Sequence, residues 1–180
     1  MIKTKRKEEI ENWYLLRSGF NPKTIPVFYY QILIDQYYLN KEKDGESRRV
    51  RRSRRIGRRK VIYNFTSKIP SGYSNTKLEY DPEISRKEFK KFLKDRDLKR
   101  DKIIKIRTCF TWKGQFFELD LFVGPKRLSG LLKLEIELKK RSQKVNLPPF
   151  LPILREVTGE GIWSTSHLAK KSTKINLAAK

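Results

Sequence analysis

Glu9 and Glu11, Glu118 and Asp120, and Glu135 and Glu137 form three carboxylate pairs, the members of each separated by one residue. Arg49 and Arg51, and Lys105 and Arg107, are cation pairs with the same spacing. Positions i and i+2 of a β-strand share a face, so each pair would present two like charges side by side. Carboxylate oxygens are hard ligands that suit Mg²⁺ or Mn²⁺. Guanidinium forks and ammonium groups suit phosphate oxygens. Together these pairs point to metal-assisted chemistry on a phosphorylated ligand.

The stretch Leu131 to Lys139 shows what must position them. Leu132, Leu134, Ile136 and Leu138 alternate with Lys133, Glu135, Glu137 and Lys139, a strand period with one apolar and one charged face. Alone, it reads most simply as a surface strand with a solvated face. The pattern recurs, however. Glu9, Glu11 and Trp13 share a face, as do Thr66 and Lys68, and Lys77, Glu79 and Asp81. Lys105 and Arg107 stand opposite Ile104 and Ile106, and Glu118 and Asp120 opposite Phe117 and Leu119. A closed antiparallel β-barrel accounts for both faces, with apolar residues packed under outer helices and charges turned inward. The inward cations would be Arg49, Arg51, Lys68, Lys77, Lys105 and Arg107. With two divalent cations beside the eight inward acids, such a lumen would suit a triphosphate of about four negative charges.

The remaining segments read as connections. Met1 to Lys7 is a basic lead, Asn40 to Ser47 a charged turn, and Ser142 to Pro152 a proline-rich loop. Ser85 and Glu88 form a capping-box signature for a helix reaching about Asp97, with Phe89, Phe92 and Leu93 as its apolar stripe. Ser164 or Ser166 could cap a last short helix around His167. The 180 residues suit one domain, with no internal repeat. A single cysteine, Cys109, excludes an internal disulfide and favours a reducing compartment. No apolar run is long enough to span a membrane. The expectation is a cytoplasmic protein.

The net charge of +23 implies attraction to polyanions. The run Arg48 to Arg55 reads either as a nucleic-acid patch in a loop or as a strand with Arg49 and Arg51 on one face. Since the inferred lumen is close to neutral, the basic excess lies outside it, where it could hold nucleic acid or an acidic partner. Cys109 shares the face of Arg107 and reads as a small buried filler. His167, the only histidine, reads as a surface helix residue, so no histidine-based catalysis or zinc site can be assembled.

Glu9-Ile10-Glu11 near the start resembles the Glu-x-Glu-x-Lys signature of the CYTH family, the triphosphate tunnel metalloenzymes. Arg49-x-Arg51, Thr66-x-Lys68, Lys77-x-Glu79-x-Asp81, Lys105-x-Arg107, Glu118-x-Asp120 and Glu135-x-Glu137 follow in the family's order. The end, from Glu156-Val157-Thr158-Gly159 to Leu168-Ala169, is similar to its bacterial C-terminal pattern. The resemblance implies a mostly β fold, a closed eight-stranded antiparallel tunnel with helices outside. It also implies divalent-metal-dependent hydrolysis of tripolyphosphate, a nucleoside triphosphate or thiamine triphosphate. Glu9, Glu11, Asp120, Glu135 and Glu137 would then hold Mg²⁺ or Mn²⁺. Arg49, Arg51, Lys68, Lys77, Lys105 and Arg107 would clamp the phosphates, and Glu79 or Asp81 would order them. Adenylate cyclisation on the same fold is an alternative. So is a degenerate tunnel that binds a triphosphate or an RNA 5′ end without turnover, because the signature lysine would fall at position 13 and Trp13 stands there. The expectation is that Trp13 points into the lumen or its mouth, and that Trp13→Lys strengthens tripolyphosphate binding.

Overall fold

The computed structural model describes residues 6–40 and 45–175. The basic lead and the charged turn therefore fall largely outside the described residues. Nine strands follow one another: β1 Lys7–Leu16, β2 Tyr29–Tyr38, β3 Ser47–Arg55, β4 Val61–Pro70, β5 Thr76–Tyr80, β6 Ile103–Trp112, β7 Gln115–Gly124, β8 Leu132–Leu138 and β9 Ile153–Glu156. Two short helices, α1 Arg86–Phe92 and α2 Thr165–Leu168, complete the regular elements used below.

The strands lie in the order β5-β4-β3-β2-β6-β7-β8-β1, and β5 also pairs with β1, closing an eight-stranded barrel. Every pairing is antiparallel. β1 carries an extra partner. Its first half, Lys7 to Ile10, pairs with β5, and its second half, Tyr14 to Leu16, pairs with β9. β9 follows the proline-rich loop and is too short to show a strand period, so the sequence left it unassigned.

The alternation seen in the sequence divides inside from outside. Leu132, Leu134, Ile136 and Leu138 pack with Ile10, Tyr14, Phe110, Phe117 and Leu119 in an outer core. The sequence led us to expect helices over this face. Phe20 and Val27 from the β1–β2 connection and Val145 and Phe150 from the β8–β9 connection pack against it instead. Among the described residues only α1 acts as the expected outer helix. Its Phe89 ring lies 4.9 Å from Tyr63 and 6.2 Å from Tyr37, over the buried Val50. Ser85 and Glu88 form the full capping box, but the α-helix stops at Phe92 and tightens into a 3-10 turn. Beyond it Arg96, four residues after the α-helix ends, bridges to Leu39, so tertiary pairing takes the chain out of helical geometry before the expected end near Asp97.

The two barrel ends differ. The β3–β4 and β6–β7 hairpins, the start of β1 and the end of β8 lie at one end by register. At the other, residues 157–169 fold across the opening. Val157, Leu168 and Ala169 join Trp13, Leu15, Tyr38, Ile103 and Phe122 in a second core, and the Val157 amide donates to the Trp13 carbonyl at 2.8 Å. Gly159, at φ +79°, approaches Ser74 so closely that a Cβ there would meet its side chain at 3.0 Å, which favours glycine at this position. Along β8, Glu137 is exposed while Glu135 and Lys133 are buried. The barrel is thus a tunnel with one open mouth and one covered end.

Candidate functional site

Within the barrel lies a cavity of about 830 Å³. Glu9 and Glu11 reach it from β1, Glu135 and Glu137 from β8, and Glu118 from β7. Arg49 and Arg51 reach it from β3, Lys68 from β4, Lys77 and Glu79 from β5, and Lys105 and Arg107 from β6. Period-two alternation is the reason: on each strand these residues have one parity, odd on β1, β3, β5, β6 and β8 and even on β4 and β7. In the strand order, β1 and β8 lie across the barrel from β3 and β2. One wall is therefore acidic and the opposite wall carries paired arginines.

The acids and cations meet in two networks. Lys68 bonds Glu9, lies 2.9 Å from Glu79 and 3.6 Å from Glu11. Arg107 bonds Glu118, reaches Asp120 at 2.7 Å and Glu135 at 2.6 Å. At the mouth, Lys7 pairs with the exposed Glu137 at 3.1 Å. Arg51 pairs with Asp81 at 2.8 Å, and Asp81 also accepts from Thr66 at 2.5 Å. Asp81 therefore holds a basic side chain in place, as the sequence suggested. Arg49 differs from the other cations, since its buried Nε finds no partner. That leaves a guanidinium donor free for an anion in the lumen.

Asp120 stands apart from the other predicted metal ligands. It is fully buried, lies outside the cavity lining, and is held by Lys105 and by two Arg107 donors. Against the cost of its burial, Arg107 and Lys105 keep its carboxylate pKa low. Both of its oxygens are engaged by those two cations, which it fixes in place.

One further cation joins the lining. Lys133 is fully buried and faces the cavity. Its Nζ lies 2.7 Å from Glu135, 3.2 Å from the Trp163 carbonyl and 4.7 Å from the centre of the Trp13 ring. It stands on the face of Glu135 and Glu137, so period two alone would have placed it inside. Trp13 lines the same region, as expected, and also packs in the covered-end core. Its indole N–H donates to Glu11 at 3.1 Å, and Lys77 Nζ lies 5.1 Å from its ring. Tyr38 and the covering residues Ser164 and Thr165 complete that end of the lining. Cys109 is a buried filler whose pKa burial pushes up to about 11, with Glu118 adding to the rise. His167 lies in the last turn of α2 and is not part of the lining.

Titration behaviour follows from this crowding. Burial, reinforced by Glu11, pushes the Glu9 carboxyl up to about 9, against the pull of Lys68. Although burial works against it, hydrogen bonding to Glu9 and the charges of Lys68 and Arg49 hold Glu79 at about 2. Glu9 therefore favours its protonated form and Glu79 its charged form. Burial, with Arg107 beside it, lowers Lys105 to about 8 despite Asp120. Among the described residues no three acidic or thiol side chains stand ready as a metal cage. The carboxylate wall nonetheless suits a hard cation, because it is crowded enough for Glu9 to retain a proton that a divalent ion would displace.

No family model matches the sequence, and none of the curated proteins does. Solved structures do. Two crystal structures of NE1496, one called a hypothetical protein and the other an inorganic triphosphatase, are 25% and 24% identical to this chain. Each covers 89% of it, with 97% and 93% of their own chains matched, at a TM-score of 0.55. The chain has the CYTH tunnel fold. A candidate adenylate cyclase from Bacillus halodurans has this CYTH tunnel fold too, at 14% identity and a TM-score of 0.52, covering 76% of this chain and 83% of its own. Among the described residues no helix is long and apolar enough to cross a membrane.

Proposed function

We propose that this protein is a divalent-metal-dependent triphosphatase acting inside the tunnel. The observation that carries the reading is the opposition of walls: Glu9, Glu11, Glu135 and Glu137 on one side, Arg49 and Arg51 on the other, around a single cavity. A chain of phosphates lying along the axis would meet guanidinium forks on one flank and a cation-binding carboxylate wall on the other. A triphosphatase among the solved structures of this fold supports the same reading.

Arg49, Arg51, Lys77, Lys105 and Lys133 would bind and orient the phosphate oxygens, and Arg107 would hold Glu118 and Glu135 in register. Residues 157–169 close one end of the lumen and exclude bulk water there, which strengthens each charge contact. Glu9, Glu11, Glu135 and Glu137 would hold Mg²⁺ or Mn²⁺; such an ion supplies charge neutralisation to the reacting phosphoryl group. A water oxygen would bond to the terminal phosphorus as the bridging P–O bond breaks, the bridging oxygen keeping the bonding pair and the water's proton passing to solvent. One orthophosphate and the shortened chain leave.

A substrate panel of tripolyphosphate, ATP and thiamine triphosphate, with Mg²⁺ or Mn²⁺, tests the reading. Release of orthophosphate is expected. Cyclic nucleotide with pyrophosphate would instead make the protein a cyclase. Tight binding without any product would make it a sensor.

A further inference from the structure

The tunnel does not use most of the positive charge. From Ser47 to Leu78 the chain contains no Asp or Glu. Within that stretch the β3–β4 hairpin exposes Arg52, Arg54, Arg55, Arg58, Arg59 and Lys60. Arg52 is neutralised by Asp35 at 3.2 Å. Among the described residues the other five form no ion pair with any carboxylate. A solubilising surface needs neither this concentration nor this choice of arginine, whose planar fork matches phosphate oxygens.

Aromatic groups accompany the charges. Arg55 stacks over Tyr30 at 4.5 Å. Phe28, just before β2, is 83% exposed, and Phe116 at the start of β7 is 45% exposed. The backbone amide of Ile56 at the hairpin tip donates to Gln31 of β2 at 2.8 Å, so hairpin and aromatic rim are one continuous surface at the open mouth. Arginines that follow a phosphate backbone, interleaved with exposed rings for unpaired bases, form the combination by which proteins hold single strands.

We propose that the β3–β4 hairpin and the adjoining aromatic rim bind single-stranded nucleic acid. Apart from Phe116, which also lines the mouth of the cavity, this surface lies outside the tunnel, and it does not depend on triphosphate turnover. An acidic protein would meet the charges but leave the rings unused, and an anionic membrane, which takes up both, is the occupant that the vesicle arm of the test separates.

The test uses the full chain and a labelled single-stranded oligouridylate with a 5′-hydroxyl end, which offers nothing to the tunnel. The variant Arg54→Gln/Arg55→Gln/Arg58→Gln/Arg59→Gln is compared with Lys99→Gln/Lys126→Gln/Lys171→Gln/Lys174→Gln. The second set removes equal charge from exposed positions around the covered end. By fluorescence anisotropy the hairpin variant should lose roughly a hundredfold or more in affinity. Its slope of log affinity against log salt should flatten by about 3, as roughly four lost phosphate contacts on a single strand require. The lysine variant should change severalfold at most, and tripolyphosphate binding should be unaltered in the hairpin variant. Equal losses in the two variants would overturn the proposal, reducing the effect to net charge. So would hairpin-dependent binding to anionic phosphatidylserine vesicles with none to the oligonucleotide.

Discussion

The Lys133 ammonium stands 4.7 Å over the Trp13 indole and 2.7 Å from Glu135, fully buried at the covered end of the tunnel. Trp13 is directly cross-strand from Glu135, so a lysine at position 13 would deliver its charge to this same region. The adjacent strand delivers it instead, and the tryptophan face helps to offset the cost of burying it. Lys133→Met is therefore expected to lower tripolyphosphate affinity about ten- to a hundredfold, the usual worth of a charge-assisted contact, measured by calorimetry. This geometry also revises the expectation for Trp13→Lys. With Lys77 and Lys133 both beside the ring, a third ammonium group is repelled, and the single change should not strengthen binding. In the Lys133→Met background it should restore part of the loss. Stronger binding by Trp13→Lys alone, in a folded barrel, would sink this account.

Glu135 and Glu137 should separate into two behaviours. Glu137 is exposed at the mouth with Lys7 as its ion-pair partner, so Glu137→Gln should weaken Mn²⁺ binding and leave thermal stability nearly unchanged. Glu135 lies between two buried cations, Lys133 and Arg107. Glu135→Gln should weaken Mn²⁺ binding and also cost about 3 kcal/mol, because it leaves buried charge uncompensated. Metal titration together with denaturant melts reads both. Unchanged Mn²⁺ affinity in both variants would remove β8 from the metal wall.

The arginine run divides by parity. Arg49 and Arg51 line the cavity, and their replacement by Ala should each reduce tripolyphosphate affinity about tenfold or more. Arg52 is exposed on the outer face, and Arg52→Ala should leave affinity alone and stability within about 0.5 kcal/mol. Arg48 is buried outside the barrel, 3.7 Å from Asp95 and stacked on Phe65 at 5.5 Å. Arg48→Ala should therefore lower the melting temperature without touching affinity. Equal affinity losses at all four positions would show the run acting as an undivided patch.

Parity made the site legible in the sequence. Leu131 to Lys139 gives inside and outside by inspection, and the same rule places Glu9, Arg49, Lys105 and Glu118 on the lining. It places Lys133 there too, on the face of Glu135 and Glu137. Depth along the tunnel was not legible. Asp120 has the same parity as Glu118, and only the strand register of β6 and β7 puts it directly against Arg107. Covering elements were equally hidden. The apolar outer face announces that something packs on it, but Phe20, Val27 and Phe150 come from segments without a helical or strand period. β9 is specified by the edge of the second half of β1 that β5 does not reach, a property of the folded sheet and not of Ile153–Glu156.

Lys105 makes the tunnel's anion affinity depend on pH. Burial, with the like charges of Arg107 and Lys133, depresses its pKa to about 8, while Asp120 and Glu135 oppose the shift. Below that value Lys105 carries its charge; as pH rises through it the charge is lost. Tripolyphosphate favours the protonated form, so affinity should be highest below about pH 8 and fall above it, by at most roughly tenfold per pH unit for one proton. Binding should also take up a proton where the free lysine is neutral, visible as a dependence of calorimetric heat on buffer ionisation. Chelator in the buffer keeps metal out of the measurement. Lys105→Met should remove the decline around pH 8, because Arg107 remains charged throughout and still satisfies Asp120. Loss of the Glu9 proton, at about 9, would persist in the variant as a separate decline at higher pH. If the variant shows the wild-type profile between about pH 7 and pH 8.5, Lys105 does not meet the phosphate chain, and the contact must come from the arginines across the lumen.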